Sequence, residues 1–458
     1  MGTVWSAVIG EGGAGLRGAR GIISISRVIS DFPASLSQAW RLSEIAIGSE
    51  RGSYAHLGND RQCRMAVDLI VFGFNAHGQL RPGSTADVTE PALLDLQDFT
   101  AGSAPHHACE VLFAGWSETV RKRIHHVQPQ LWWTDWIVVK TGSGLLRLRR
   151  DTSQVTCQES VQQLNASFGN HNGMLGALDV EGRLYLLEST ATGDNCDGDT
   201  LSLSLQSEAE SPKIAHLALA GNDRVALTFV QAPNASLTHI LEFASFQKFK
   251  TWFKGPSDAA KYPDKHHVLQ GRTKQLVANA AAFICLMDSG DVFTWGDARY
   301  HSLGRNITGE GATAATEAGQ MEALGGIKIV KVAAGGWTAA ALSEDRSAYL
   351  LGSAFPGTKH SIKYVEDIEP GNVALVEIVD ECSGEPLDIL DVAVGDEHIV
   401  AVTEGGRVFA VGANWNGQCG QAGEGDFLDV FTEVRLPESY KVLGVQAGPQ
   451  CTIIKAAS

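Results

Sequence analysis

Adjacent histidines occur at His106–His107, His125–His126 and His266–His267. Imidazole is the commonest metal ligand, but neighbouring side chains on a strand point to opposite faces, so such a pair does not converge on one ion. The eight cysteines, Cys63, Cys109, Cys157, Cys196, Cys285, Cys382, Cys419 and Cys451, form no CxxC pair. Cys285 in AAFICLM and Cys451 in QCTIIK sit in apolar runs, where a thiol packs as a small hydrophobe. The chain has no GxxxxGK[ST] phosphate loop, no HExxH and no GxSxG elbow. GEGGAG at 10–15 has loop-like glycine spacing, but no strand precedes it and no good amphipathic helix follows. No Asp or Glu is placed by spacing into an acid–base pair. The expectation is a protein with no catalytic residue, no metal and no cofactor.

Two stretches carry recognition chemistry instead. RKRIHHVQPQLWWTDW at 121–136 combines cations with Trp132, Trp133 and Trp136, residue types that anchor partners. The same alternation would also serve as strand core. FQKFKTWFKGPSDAAKYPDKHH at 246–267 holds Lys248, Lys250, Lys254, Lys261 and Lys265 against Asp258 and Asp264. Lys250, Trp252 and Lys254 join the three tryptophans as candidate partner-binding residues. The plain alternative is a solvated loop over a strand end. Residues 306–326 read as a flexible insertion, and 365–386 as an acidic loop able to face a basic partner.

These stretches need a frame, and composition indicates its class. Of 458 residues, 44% are hydrophobic and 50 are glycine, about 11% against an ordinary ~7%. Many tight turns and short strands follow. The net charge of −16 makes direct nucleic-acid binding an unfavourable expectation. No apolar run reaches membrane-spanning length. Free cysteines in apolar runs and the lack of a convincing signal peptide suit the cytoplasm, the nucleus or both.

The order of elements follows from repetition. Residues 391–421, DVAVGDEHIVAVTEGGRVFAVGANWNGQCGQ, read as two apolar runs joined by a glycine turn, then a polar loop. The grammar recurs at 277–305, 330–352 and 168–187, and more loosely at 114–149 and 217–243. The end, VLGVQAGPQCTIIKA (442–456), is a first half without a second, and DLIVFGFNAHGQL (68–80) is a second half without a first. Markers at Gly115, Gly169, Gly221, Ala280, Gly335, Gly395 and Gly448 stand 52–60 residues apart, a spacing that suits a four-stranded propeller blade. The reading is an all-β, seven-bladed propeller closed by pairing of its terminal strands. Gly182, Gly290, Gly405 and Gly406 are expected at hairpins. Gly73, Gly296 and Gly412 are expected where a side chain would crowd the neighbouring blade.

The stretches FGFNAHGQL (72–80), FTWGDARYHSLG (293–304) and VFAVGANWNGQCG (408–420) resemble RCC1-like repeats, of the regulator of chromosome condensation type. The resemblance covers residues 65–458 and is nearest to compact fungal and animal members. It implies a seven-bladed propeller at 65–458, with insertions near 121–136, 246–270, 306–326 and 356–388. Residues 1–64 then form a leader, disordered or partly helical. Met65 stands at a natural beginning. The functional expectation is a non-catalytic scaffold or adaptor that grips a protein partner with its loops, monomeric apart from that partner. The resemblance also implies an alternative, guanine-nucleotide exchange on a small GTPase.

Overall fold

The computed structural model describes residues 68–76, 78–81, 83–94, 108–114, 137–141, 144–148, 153–157, 164–170, 173–189, 201–207, 211–255, 262–353, 360–366, 368–437 and 440–457. The proposed leader, Met65 and the 121–136 stretch with its three tryptophans lie outside them.

The first described strands are β1 (Asp68–Gly73) and β2 (Val88–Leu93). The next eight are β3 (Ala108–Ala114), β4 (Ile137–Thr141), β5 (Gly144–Leu148), β6 (Ser153–Cys157), β7 (Leu164–Asn170), β8 (Gly173–Asp179), β9 (Leu184–Ser189) and β10 (Leu201–Leu205). Three four-stranded meanders follow: β11 (Ile214–Leu219), β12 (Val225–Phe229), β13 (Leu237–Phe243) and β14 (Lys265–Gln270); β15 (Thr273–Ala278), β16 (Ala282–Met287), β17 (Val292–Gly296) and β18 (Gly319–Gln320); β19 (Ile329–Gly335), β20 (Thr338–Ser343), β21 (Ala348–Gly352) and β22 (Ala374–Val376). A fourth holds β23 (Ile389–Val394), β24 (His398–Thr403), β25 (Val408–Ala413) and β26 (Phe427–Val434), and β27 (Lys441–Ala447) and β28 (Cys451–Ala457) end the chain. The stretches expected as insertions near 246–270, 306–326 and 356–388 contain the fourth strands β14, β18 and β22.

The repeat's apolar runs become strands buried on both faces. Every residue of β16 (AFICLM), β20 (TAAALS), β24 (HIVAVT) and β25 (VFAVGA) is buried. A sheet packed between two others needs apolar side chains on both sides, so period-two alternation is lost there. One apolar cluster joins the terminal sheet, through Phe72 and Ile454, to Val400 and Val408. Four more continue sheet by sheet back to Phe168 and Leu178 of β7–β8. Asp391 fastens three first strands, accepting from Lys331 Nζ of β19 and, at 3.0 Å, from the Val445 amide of β27.

The first and last described strands pair. β1 runs antiparallel to β28, with Leu69 opposite Lys455 and Phe72 opposite Thr452, in a sheet of order β2-β1-β28-β27.

The expected seven separate blades are corrected by the sheet count. Among the described residues the strands form six sheets, five of four strands and one of eight, in the order β3-β4-β5-β6-β10-β9-β8-β7. The fusion comes from a parallel pairing of β6 with β10, Leu201 opposite Val155. Each would otherwise be an open edge, and unpaired edges bond to whatever strand lies alongside. Closure is corrected too. End pairing completes one sheet, and among the described residues no apolar cluster links that sheet to the eight-stranded one. The architecture is an all-β propeller fold of six sheets, not a demonstrated seven-bladed ring.

The strand-end glycines are also reassigned. A Cβ on Gly73, Gly296 or Gly412 would overlap the backbone of Gln450–Cys451, Ala281–Ala282 or Glu397–His398, each in the adjoining strand or its turn within the same sheet. The crowding partner is therefore not the neighbouring blade. Gly182, Gly290 and Gly406 occupy hairpins at φ of 79°, 96° and 75°.

Candidate functional site

In an antiparallel four-stranded meander, the turn between strands one and two and the loop between strands three and four emerge at the same edge. The first of these turns are stitched together. Asn222 N–H donates to the Ala280 carbonyl (2.8 Å), Ala280 N–H to the Gly336 carbonyl (2.6 Å), and Asp396 N–H to the Pro449 carbonyl (3.1 Å). Between them, Gly336 N–H donates to Asp396 Oδ1 at 3.2 Å. The turns approach so closely that a Cβ at Gly336 (φ 49°) would overlap the Asp396 carbonyl. The result is a rigid floor.

Third-to-fourth loops rise beside this floor, and three of them are braced by a polar side chain. Asn75 Oδ1 accepts from Leu80 N at 2.8 Å, and Asn414 Nδ2 donates to the Gln421 carbonyl at 2.7 Å. In the 297–318 loop the brace is Arg305, which is 4% exposed. Its guanidinium donates to the carbonyls of Thr294 (3.1 Å), Thr313 (2.6 Å), Ala314 (3.0 Å) and Glu317 (2.8 Å). Burial lowers its pKa.

On this braced loop, Tyr300 and His301 are consecutive non-glycine residues at φ of 60° and 58°. Side chains rarely adopt that left-handed conformation, and such strain gathers at functional sites. Tyr300 is 39% exposed and meets the Trp337 ring edge-on at 5.0 Å. Arg299 lies over the same indole, 5.1 Å from its centroid. Asp297 grips Arg299 through both oxygens, at 2.9 and 3.0 Å from Nε. That hydrogen bond holds the Asp297 carboxyl below the usual carboxylate range. Trp415, 40% exposed, stands in the 414–426 loop at the corresponding edge. Tyrosine, tryptophan and arginine on a rigid rim are the residue types that dominate protein interfaces.

Of the residues singled out by sequence, Lys250, Trp252 and Lys254 lie on helix α1 (Phe246–Phe253) or at its C-cap. Trp132, Trp133 and Trp136 lie outside the described residues. The Arg299–Tyr300–Trp337 group was missed, because its residues fell inside stretches read as repeat scaffold. The signal available was an aromatic at each of two turn positions that hold small or polar residues in the other copies.

Histidine chemistry does not gather. His266 and His267 point to opposite sides of β14: His266 stacks on His239 at 5.1 Å, while His267 reaches inward to Glu242 at 3.1 Å. Among the described residues no group of three or more His, Cys, Asp and Glu could hold a metal. Burial pushes the Cys285 and Cys451 thiols up to about 12, which leaves them unreactive.

Residues 389–421 and 289–342 match models of the Regulator of chromosome condensation (RCC1) repeat. These two stretches are thus similar to RCC1 repeats. They contain two of the three stretches that carried the sequence resemblance. The mouse RCC1 domain-containing protein 1 is 29% identical over 217 residues, 40% of this chain and 56% of that protein. The human E3 ubiquitin-protein ligase HERC2 is 27% identical over 249 residues, 53% of this chain and 5% of that protein. The matched region spans about half or less of these relatives' lengths. The matches reach from the short mouse protein to HERC2, which is far longer than this chain, so the likeness is not specific to compact fungal and animal members. Prp20p of Saccharomyces cerevisiae, whose structure was described with its binding to Gsp1p and histones, superposes with a TM-score of 0.56 at 13% identity. That match covers 86% of this chain and 92% of Prp20p, and supports a propeller fold.

Proposed function

We propose that this protein is a non-catalytic, partner-binding propeller, and that its partner is a small GTPase whose nucleotide exchange it promotes. The observation that carries partner binding is Tyr300. Holding an aromatic in the left-handed region costs about 1–3 kcal/mol. An exposed ring returns little of that as stability, so the strain is accounted for by a contact made elsewhere. Trp337 and Arg299 complete an anchor of the type that fills a partner's pocket.

The class of partner rests on likeness. Prp20p shares the fold and was described with its binding to Gsp1p. Exchange needs no nucleophile or metal. A rigid face that binds the empty GTPase better than the nucleotide-loaded one shifts the equilibrium toward release. The stitched floor and Arg305 brace supply that rigidity.

Nucleotide release from a panel of small GTPases tests both parts. One member should be accelerated by stoichiometric protein, and Tyr300→Ala with Trp337→Ala should abolish the effect while the protein remains folded. Binding without acceleration restores the adaptor reading. Neither binding nor acceleration across the panel overturns the proposal.

A further inference from the structure

Helix α1 sits in the β13–β14 connection, where a short turn would suffice to pair Glu242 with Lys265. Ser245 caps it, its Oγ accepting from Lys248 N at 3.1 Å. Phe246 and Phe249 face inward and are buried. With Phe243, Trp252 and Phe253 they form one aromatic cluster, with ring spacings between 5.0 and 6.4 Å. The helix is fixed from beneath and cannot easily reorient.

Its outer edge is different. Trp252 and Phe253 are only half-buried. Lys248 is committed to Asp264, 2.6 Å away. Lys250 and Lys254, one helical turn apart, have no carboxylate partner among the described residues; Lys250 lies over the Phe246 ring at 5.1 Å. Cations in a last turn suit the helix dipole. The dipole does not account for two half-exposed aromatic rings beside them, in a chain whose net charge is −16.

We infer that α1 is a second docking element, which takes an acidic protein segment bearing an apolar side chain. The carboxylates meet Lys250 and Lys254, and the apolar group lies against Trp252 and Phe253. Charge complementarity selects this occupant: an acidic protein repels acidic segments generally, so an aromatic helix bearing two ammonium groups that are unpaired among the described residues is a place where such a segment can land. The inference rests on the partner-binding reading but not on the partner being a GTPase.

The test uses the full chain and a fluorescein-labelled peptide of Asp and Glu residues carrying one Leu and one Phe, read by anisotropy. The wild type should bind at low salt and weaken as salt rises. Lys250→Gln with Lys254→Gln should lose about tenfold or more in affinity, with an unchanged melting temperature. Trp252→Leu should weaken binding as well, and Tyr300→Ala with Trp337→Ala should leave it intact, which separates this surface from the loop anchor. Equal binding by the double glutamine variant overturns the inference. So does a single-stranded oligonucleotide of equal charge that binds as tightly as the peptide.

Discussion

The indole N–H of Trp295 donates to Glu242 Oε2 at 2.9 Å, joining two neighbouring sheets through a carboxylate that is 1% exposed. His267 Nε2 bonds the same oxygen at 3.1 Å, and Arg224 pairs with Oε1. A buried charge is tolerable only when it is paired and hydrogen-bonded, and here three donors from separate parts of the chain hold it.

Removing the carboxylate should therefore cost more than removing one donor. Glu242→Ala strands Arg224 and the indole N–H and should destabilise by about 3–5 kcal/mol. Trp295→Phe keeps the ring packing and should cost about 1–3 kcal/mol. Urea unfolding measures both, and equal losses would contradict a shared hub.

Two buried imidazoles make the fold acid-sensitive. Burial brings His267 and His398 down to about 4. His398 Nε2 donates to Thr452 Oγ1 at 3.0 Å, since that hydroxyl already donates to the Gln418 carbonyl. An unfolded histidine titrates near ~6.5. Between the two values the unfolded chain binds protons that the folded one refuses, so stability is full above pH about 6.5 and falls toward pH about 4. The loss is of order 2–3 kcal/mol per ring. Melting temperature against pH should show this slope, and His398→Gln should flatten part of it.

Tyr300 offers a trade of stability against binding. Tyr300→Gly relieves the left-handed strain and should leave stability unchanged or raise it by about 1 kcal/mol, while partner affinity falls. A destabilised glycine variant with full affinity would show that the ring serves packing.

Arg305 acts on the same site without touching a partner. Arg305→Met leaves the loop carbonyls of Thr313, Ala314 and Glu317, and that of Thr294 on β17, short of a donor, so the 297–318 loop should loosen and affinity fall. Faster amide exchange in residues 297–302, with β16 and β20 unaffected, is the readout.

The sequence made the repeat legible because each copy carries its own turn glycine and apolar runs, which are local properties. The two half-units at the ends marked strands that need each other, and β1 does lie against β28. The merger of β6 with β10 was not legible, because pairing between two open edges depends on where distant strands come to rest. Gly73, Gly296 and Gly412 were recognised as tight positions, but the crowding backbone belongs to the adjoining strand. Tyr300 and Trp337 escaped notice because no spacing rule links a third-to-fourth loop to the next sheet's first turn. Only the fold brings them to 5.0 Å.

The proposed binding face is the edge bearing Tyr300 and Trp337. Hydrogen–deuterium exchange of the protein alone and with a nucleotide-free small GTPase tests this most directly. Protection should appear in residues 297–302 and 335–338. Protection confined to the hairpins at 288–291, 344–347 and 404–407, on the opposite edge, would contradict it.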